Sequence, residues 1–151
     1  MNAYEWRPGA RYRVDANVAG RVCEKLEAEG NLSARSLLDA SRPKDAPLHG
    51  EFEWSDSIAA EKYREEQARG IIRHLAIKVE ERAPVRSFFK LEVNSSSNYT
   101  SLETILKKPD LRAALLEQAC ADMQSFQRKY RELSELSDVF EAMSRAQKAA
   151  S

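Results

Sequence analysis

At 151 residues, with 42% hydrophobic and 32% charged side chains, the chain has the material for one folded unit with its own core and falls outside the disordered class. Its 24 basic and 24 acidic residues cancel, which excludes a histone-like protein that grips nucleic acid through its overall field and leaves only a local patch for such contact. The opening MNAYEWRPGARYRV holds no apolar signal region, and no later segment nears the roughly 20 apolar residues that span a bilayer, so the expected setting is the cytoplasm.

Residues 1–14 set Arg7, Arg11 and Arg13 against Glu5 around a Pro-Gly pair and predict an irregular basic arm. Asp15 is placed to cap a first helix running to about Glu29, with Gly30 as its left-handed stop. Ser33 opens a short second helix that turns Leu37 and Leu38 inward, and Pro43 and Pro47 end it. The loop from Arg42 to Trp54 carries Leu48, Phe52 and Trp54, apolar anchors too large to leave in water, so it is expected to be packed.

Ser55 and Asp56 supply the next N-terminus, for a third helix reaching about Arg73. At helical spacing, Ala60, Tyr63, Ala68, Ile71 and Ile72 gather on one side, and Lys62, Glu66, Arg69 and Arg73 on the other. Arg64 falls inside the apolar arc, where its guanidinium snorkels or meets a buried partner such as Asp39 or Glu53.

From Leu75 the period changes. Leu75, Ile77 and Val79 alternate with Ala76, Lys78 and Glu80, ERAP turns the chain, and Val85, Phe89, Leu91 and Val93 return it as a β-hairpin. Asn94 to Asn98 follow as a Ser-rich loop, and Thr100 with Glu103 stands at capping-box spacing for a short helix. Pro109 or Asp110 opens the last helix, whose apolar stripe runs from Leu111 to Met143. A continuous helix to Arg145 would reach roughly 50 Å, so it must bend, fold back or present its stripe to another subunit. The expected organisation is α+β, mainly helical: a winged-helix-like domain over 15–98, a C-terminal helical segment over 99–145 and a frayed tail over 146–151.

Little of the sequence points to catalysis. His49 and His74 are isolated, no metal-ligand spacing occurs, and none of the phosphate-cradling or nucleophile motifs is present. Carboxylate pairs such as Glu51–Glu53 and Glu80–Glu81 sit among bases on surface-like positions, and His49 lacks a nucleophile or orienting partner. Cys23 and Cys120 lie in predicted helices as buried free thiols, and the N-x-S/T triplets at Asn31, Asn94 and Asn98 read as turns and caps. A protein without enzymatic activity, metal or cofactor is expected.

Three helices followed by a hairpin is the element order of a winged helix, whose third helix enters a DNA groove. On that analogy Lys62, Arg69 and Arg73 face a nucleic acid from the helix, and Lys78, Arg86, Phe88 and Lys90 from the hairpin. The opposing reading has Glu65 and Glu66 neutralising those arginines and Phe88 packing under the last helix. A separate candidate surface is the stripe Met123, Phe126, Tyr130, Leu133 and Phe140, as a protein interface or a homodimer seam.

The run GNLSARSLLDASRPKDAPLHGEFEWSDSIAAEKYREEQARGIIR, followed by APVRSFFKLEV and LRAALLEQACADMQSFQRKYRELSELSDVF, resembles an uncharacterised family of small proteins encoded by tailed bacteriophages and prophages. The likeness spans most of the chain and centres on PLH..FEW.D..AA..YR..QAR, with Ala46 where the family often has Ser. It implies a mobile-element origin, a bacterial host cell, and a fixed kernel of Leu48, Phe52, Trp54, Tyr63 and Arg64. Two functions are expected: a binder of DNA or a nucleoprotein complex, or a protein-binding module acting as a virion assembly factor or an inhibitor of a host or defence protein.

Overall fold

In the computed structural model, which describes residues 2–55 and 57–150, the early helices start at side chains that take over orphaned backbone N–H groups. Asp15 accepts from Asn17 N and opens α1, Ala16–Ala28. Gly30 follows at φ +71°, the left-handed stop that favours glycine. Ser33 accepts from Ser36 N, and Ser36 Oγ accepts from Ser33 N, a reciprocal cap on α2, Ala34–Ala40. The third helix, α3, spans Ile58–His74 and is capped by Ser57 rather than by the expected Ser55–Asp56 pair. Asp56 lies outside the described residues.

The first residues are not a loose arm. Tyr4–Trp6 form β1, antiparallel to β2, Leu75–Ile77, which in turn pairs with β3, Val85–Arg86. Aromatic anchoring outweighs the basic composition here: Tyr4 is buried, lies parallel to Phe88 with ring centroids 6.2 Å apart, and donates its hydroxyl to Glu24 at 2.7 Å. Burial, reinforced by that carboxylate, pushes the Tyr4 phenol well above its usual range. Trp6 Nε1 donates to the Val14 carbonyl at 2.9 Å, and its ring packs on Tyr12 at 4.4 Å.

The expected single hairpin is split at Ser87. Beyond β3, the chain enters β4, Phe88–Val93, which pairs with β5, Ser96–Ser101, in a second sheet where a Ser-rich loop was expected. Asn94 and Ser95 join them with φ of 51° and 63°, the two left-handed residues of a tight hairpin turn. Ser87 links the sheets: its N–H donates to the Leu75 carbonyl at 3.1 Å, and its own carbonyl accepts from Leu102 N at 2.8 Å. Past the break Phe88 is buried, Phe89 half-buried, Lys90 exposed and Leu91 buried, so burial along β4 does not follow a strict alternation of two. The short helix α4, Leu102–Lys107, is capped by Ser101, which accepts from Thr104 N, one residue beyond the expected Thr100–Glu103 box.

The C-terminal stripe occupies two helices, α5, Pro109–Tyr130, and α6, Ser137–Ala150, joined through a 3-10 turn at Ser134–Leu136. They fold back on each other. Gln127 Nε2 donates to the Phe140 carbonyl at 2.9 Å, and Phe126 meets Tyr130 and Phe140 at 4.9 and 6.1 Å. Helix α6 passes the expected end at Arg145, so the 146–150 stretch is helical rather than frayed.

The architecture is α+β and mainly helical, with six α-helices and two small antiparallel sheets among the described residues. Its core gathers Leu26, Leu32, Leu37 and Leu38 from the first helices and the turn between them, Leu48 and Phe52 from the packed loop, Ile71 and Ile72 from α3, and Tyr4 and Phe88 from the two sheets. Among the described residues no helix is long and apolar enough to cross a membrane.

Candidate functional site

The outward face of α3 is electrostatically occupied. Arg69 pairs with Glu66 at 2.8 Å and Glu65 at 3.4 Å, and Arg73 reaches the same Glu66 at 3.0 Å. The two Arg69 spacings are those of helix neighbours, and the hydrogen bond from Arg69 holds the Glu66 carboxyl below its usual range. Lys62 is exposed and makes no ion pair among the described residues. Two of the three helix bases proposed for phosphate contact are thus already engaged by carboxylates.

The hairpin set is divided. Lys78 and Lys90 are exposed, and Arg86 is half-buried with its guanidinium 4.8 Å over the Phe89 ring and its Nε donating to the Phe88 carbonyl at 3.0 Å. Burial first, then the charge of Arg7, lowers the Arg86 pKa. Phe88 corrects the expectation outright. It is fully buried against Tyr4, so no base can stack on it. On this strand Lys90 is exposed as expected, and the partly exposed aromatic is Phe89 instead of Phe88.

The loop that anchors α3 is a structural kernel. Arg64 is buried beneath Trp54, with its guanidinium 5.1 Å from that ring. Its partners differ from the two expected carboxylates: it donates to the backbone carbonyls of Glu53 and Ser55 and pairs with the Glu61 carboxylate at 2.9 Å. Glu61 also receives Arg42 and Arg35, and the Arg42 hydrogen bond leads in lowering its pKa. His49 stacks on Trp54 at 4.7 Å with the rings 6° apart, its Nδ1 3.0 Å from the Ser41 carbonyl, a bracing position. Tyr63, assigned to the inward arc, is instead 58% exposed, because α3 buries the stripe through Ala60, Arg64, Ala68 and Ile71.

The C-terminal hairpin behaves differently from everything before it. Neither α5 nor α6 has a buried residue, and among the described residues every buried one lies between Tyr4 and Ile105. Met123, Tyr130 and Phe140 of the proposed interface are half-buried, while Phe126 is 37% and Leu133 47% exposed. Leu116 and Val139, absent from the sequence-derived set, are exposed to 47% and 45%. Counting one apolar residue per turn dropped them, because each has an apolar neighbour, Leu115 or Phe140. The hairpin is nonetheless held to the body. Gln118 Nε2 donates to the Lys90 carbonyl at 2.7 Å, and Leu115 and Ala119 line a cleft with Arg86 and Phe89.

Between the two helices runs a groove of about 450 Å³ lined by Leu116, Cys120, Gln124 and Gln147. Cys120 is half-buried there, not fully buried as expected, whereas Cys23 is sealed in the core and its thiol is pushed up by burial. Both are free. Compared with known proteins, the chain matches no family model, no curated protein and no solved structure.

Proposed function

We propose that the chain is a non-catalytic protein-binding module of bacteriophage or prophage origin, with the α5–α6 hairpin as its docking element. One observation carries the reading: 36 helical residues of α5 and α6, 22 and 14 in length, hold an apolar stripe without burying a single residue. A helix gains most of its stability by burying an apolar face, and a pair of helices that leaves this face only half covered is completed by a partner. The body and hairpin divide the work, one folding through its own core and the other presenting a surface.

Replacing Leu133 or Val139 by a photo-crosslinking phenylalanine analogue in the producing bacterium is expected to give discrete protein adducts, and the same probe at exposed Lys44 none. Equal labelling from all three positions, or none, overturns the reading.

A second reading, a winged-helix-like binder of DNA or a nucleoprotein complex, is favoured by four bases of the α3 and hairpin set, Lys62, Lys78, Arg86 and Lys90, that make no ion pair among the described residues. Phosphate contacts release counterions, so duplex binding is expected to weaken roughly tenfold or more between about 50 and about 200 mM salt. Arg86→Glu with Lys90→Glu abolishes it on this reading. No binding at the lower salt removes it.

A further inference from the structure

We infer that the open side of the α5–α6 hairpin is covered by a second copy of this chain, forming a four-helix bundle in which each α5 faces its partner's α6. The inference rests on the docking reading above and adds the identity of the occupant. Its basis is the order of charges along the hairpin. In α5 the acids Asp110, Glu117 and Asp122 precede the bases Arg128 and Lys129, with Arg112 the one exception. In α6 Asp138 and Glu141 precede Arg145 and Lys148. Each helix is therefore acidic toward its start and basic toward its end.

The helices run antiparallel, since Gln127 near the end of α5 bonds the Phe140 carbonyl near the start of α6, while Ala113 and Ala150 line one groove at the other end. Within one hairpin the acidic start of α6 thus lies beside the basic end of α5. A two-fold axis along the bundle places the partner's α6 antiparallel to α5 as well, so the same pairing of signs recurs across the new seam. A parallel neighbour would instead set acid against acid and base against base. Complementarity of this kind makes the surface fit its own copy.

The apolar residues agree with that geometry. Leu116 on α5, Leu133 in the turn and Val139 on α6 distribute exposed aliphatic area along the length of the hairpin, as a bundle seam requires and a single-point anchor does not. From Pro109 to Ala150 the sequence holds six bases and seven acids, so two copies approach without a net-charge barrier.

Sedimentation of the full chain across the micromolar range tests the inference. The wild type is expected at twice the chain mass, and Leu133→Glu with Val139→Glu at the monomer mass, with a dissociation constant raised by roughly tenfold or more. Because that variant can lose the hairpin itself, a second pair guards the result: Asp138→Lys with Glu141→Lys, and Arg128→Glu with Lys129→Glu. Each alone is expected to dissociate, and an equimolar mixture to associate again. A mixture that stays monomeric although both variants keep the helical content of the wild type by circular dichroism overturns the α5-to-α6 arrangement. A wild type that is monomeric throughout overturns self-association. In that case crosslinking to another protein from Leu133 preserves the docking reading, and its absence removes both.

Discussion

Gly20→Ala is expected to remove about 3 kcal/mol of folding stability, a large effect for one added methyl group. A Cβ at Gly20 would lie 2.1 Å from Tyr4 Cδ2 and within 2.5 Å of two more atoms of the same ring. That ring has no room to retreat. It lies over Phe88, its hydroxyl is tied to Glu24, and its backbone N–H donates to Asn17 Oδ1 at 2.8 Å. Seating the methyl therefore expels Tyr4 and strips β1 from β2, a loss of burial and of ladder bonds together.

Tyr4→Ala alone is expected to cost about 3 to 5 kcal/mol, as for other buried aromatics. The two changes share one space, so the double variant is expected to be more stable than additivity gives by about 1 kcal/mol or more. Urea midpoints at constant slope measure all three. A Gly20→Ala protein within about 0.5 kcal/mol of wild type would show that β1 does not dock on α1.

The β1 segment also marks where the sequence ceases to be legible. Local chemistry announced the starts at Asp15 and Ser33 and the packed loop through Leu48 and Phe52, because capping oxygens and bulky apolar residues act within a few positions. A three-residue strand has no period, and its partner Leu75 lies far along the chain. Strand β5, SSNYTS, buries only Tyr99 and Ser101, so no apolar alternation betrayed it. Asn94 and Ser95, two residues tolerant of turns, were its local signal.

The place of the fold-back at residues 131–136, one of three outcomes that the helix length left open, was hidden for the opposite reason. Leu133 and Leu136 continue the spacing of the stripe, and neither Pro nor Gly interrupts it. Of the candidate site, the neutralising pairs Arg69–Glu65 and Arg69–Glu66 followed from helical spacing alone. How much of Leu116 and Val139 stays wet depends on how the two helices meet, which no single helix pattern encodes.

Arg64→Met is expected to cost about 2 to 6 kcal/mol, although methionine fits the same apolar arc. The guanidinium serves three acceptors in different directions: the carbonyls of Glu53 and Ser55 and the carboxylate of Glu61. Methionine replaces the buried stem but leaves the two carbonyls without their donor, at about 1 to 3 kcal/mol for each that stays dry. Lysine is expected to rescue little, because one ammonium cannot reproduce a planar fork of donors or its stacking on Trp54. The two variants therefore separate charge from geometry.

In a Trp6→Phe background, Trp54 alone reports on this loop by fluorescence. Arg64→Met and Arg64→Lys are both expected to red-shift its emission and lower the urea midpoint. A lysine variant with wild-type emission and midpoint would mean that a single positive charge suffices, and that the carbonyls of Glu53 and Ser55 do not depend on the fork. Since the same loop sets where α3 begins, its loss is expected to spread along that helix toward Ile71 and Ile72, and so into the core beneath both sheets.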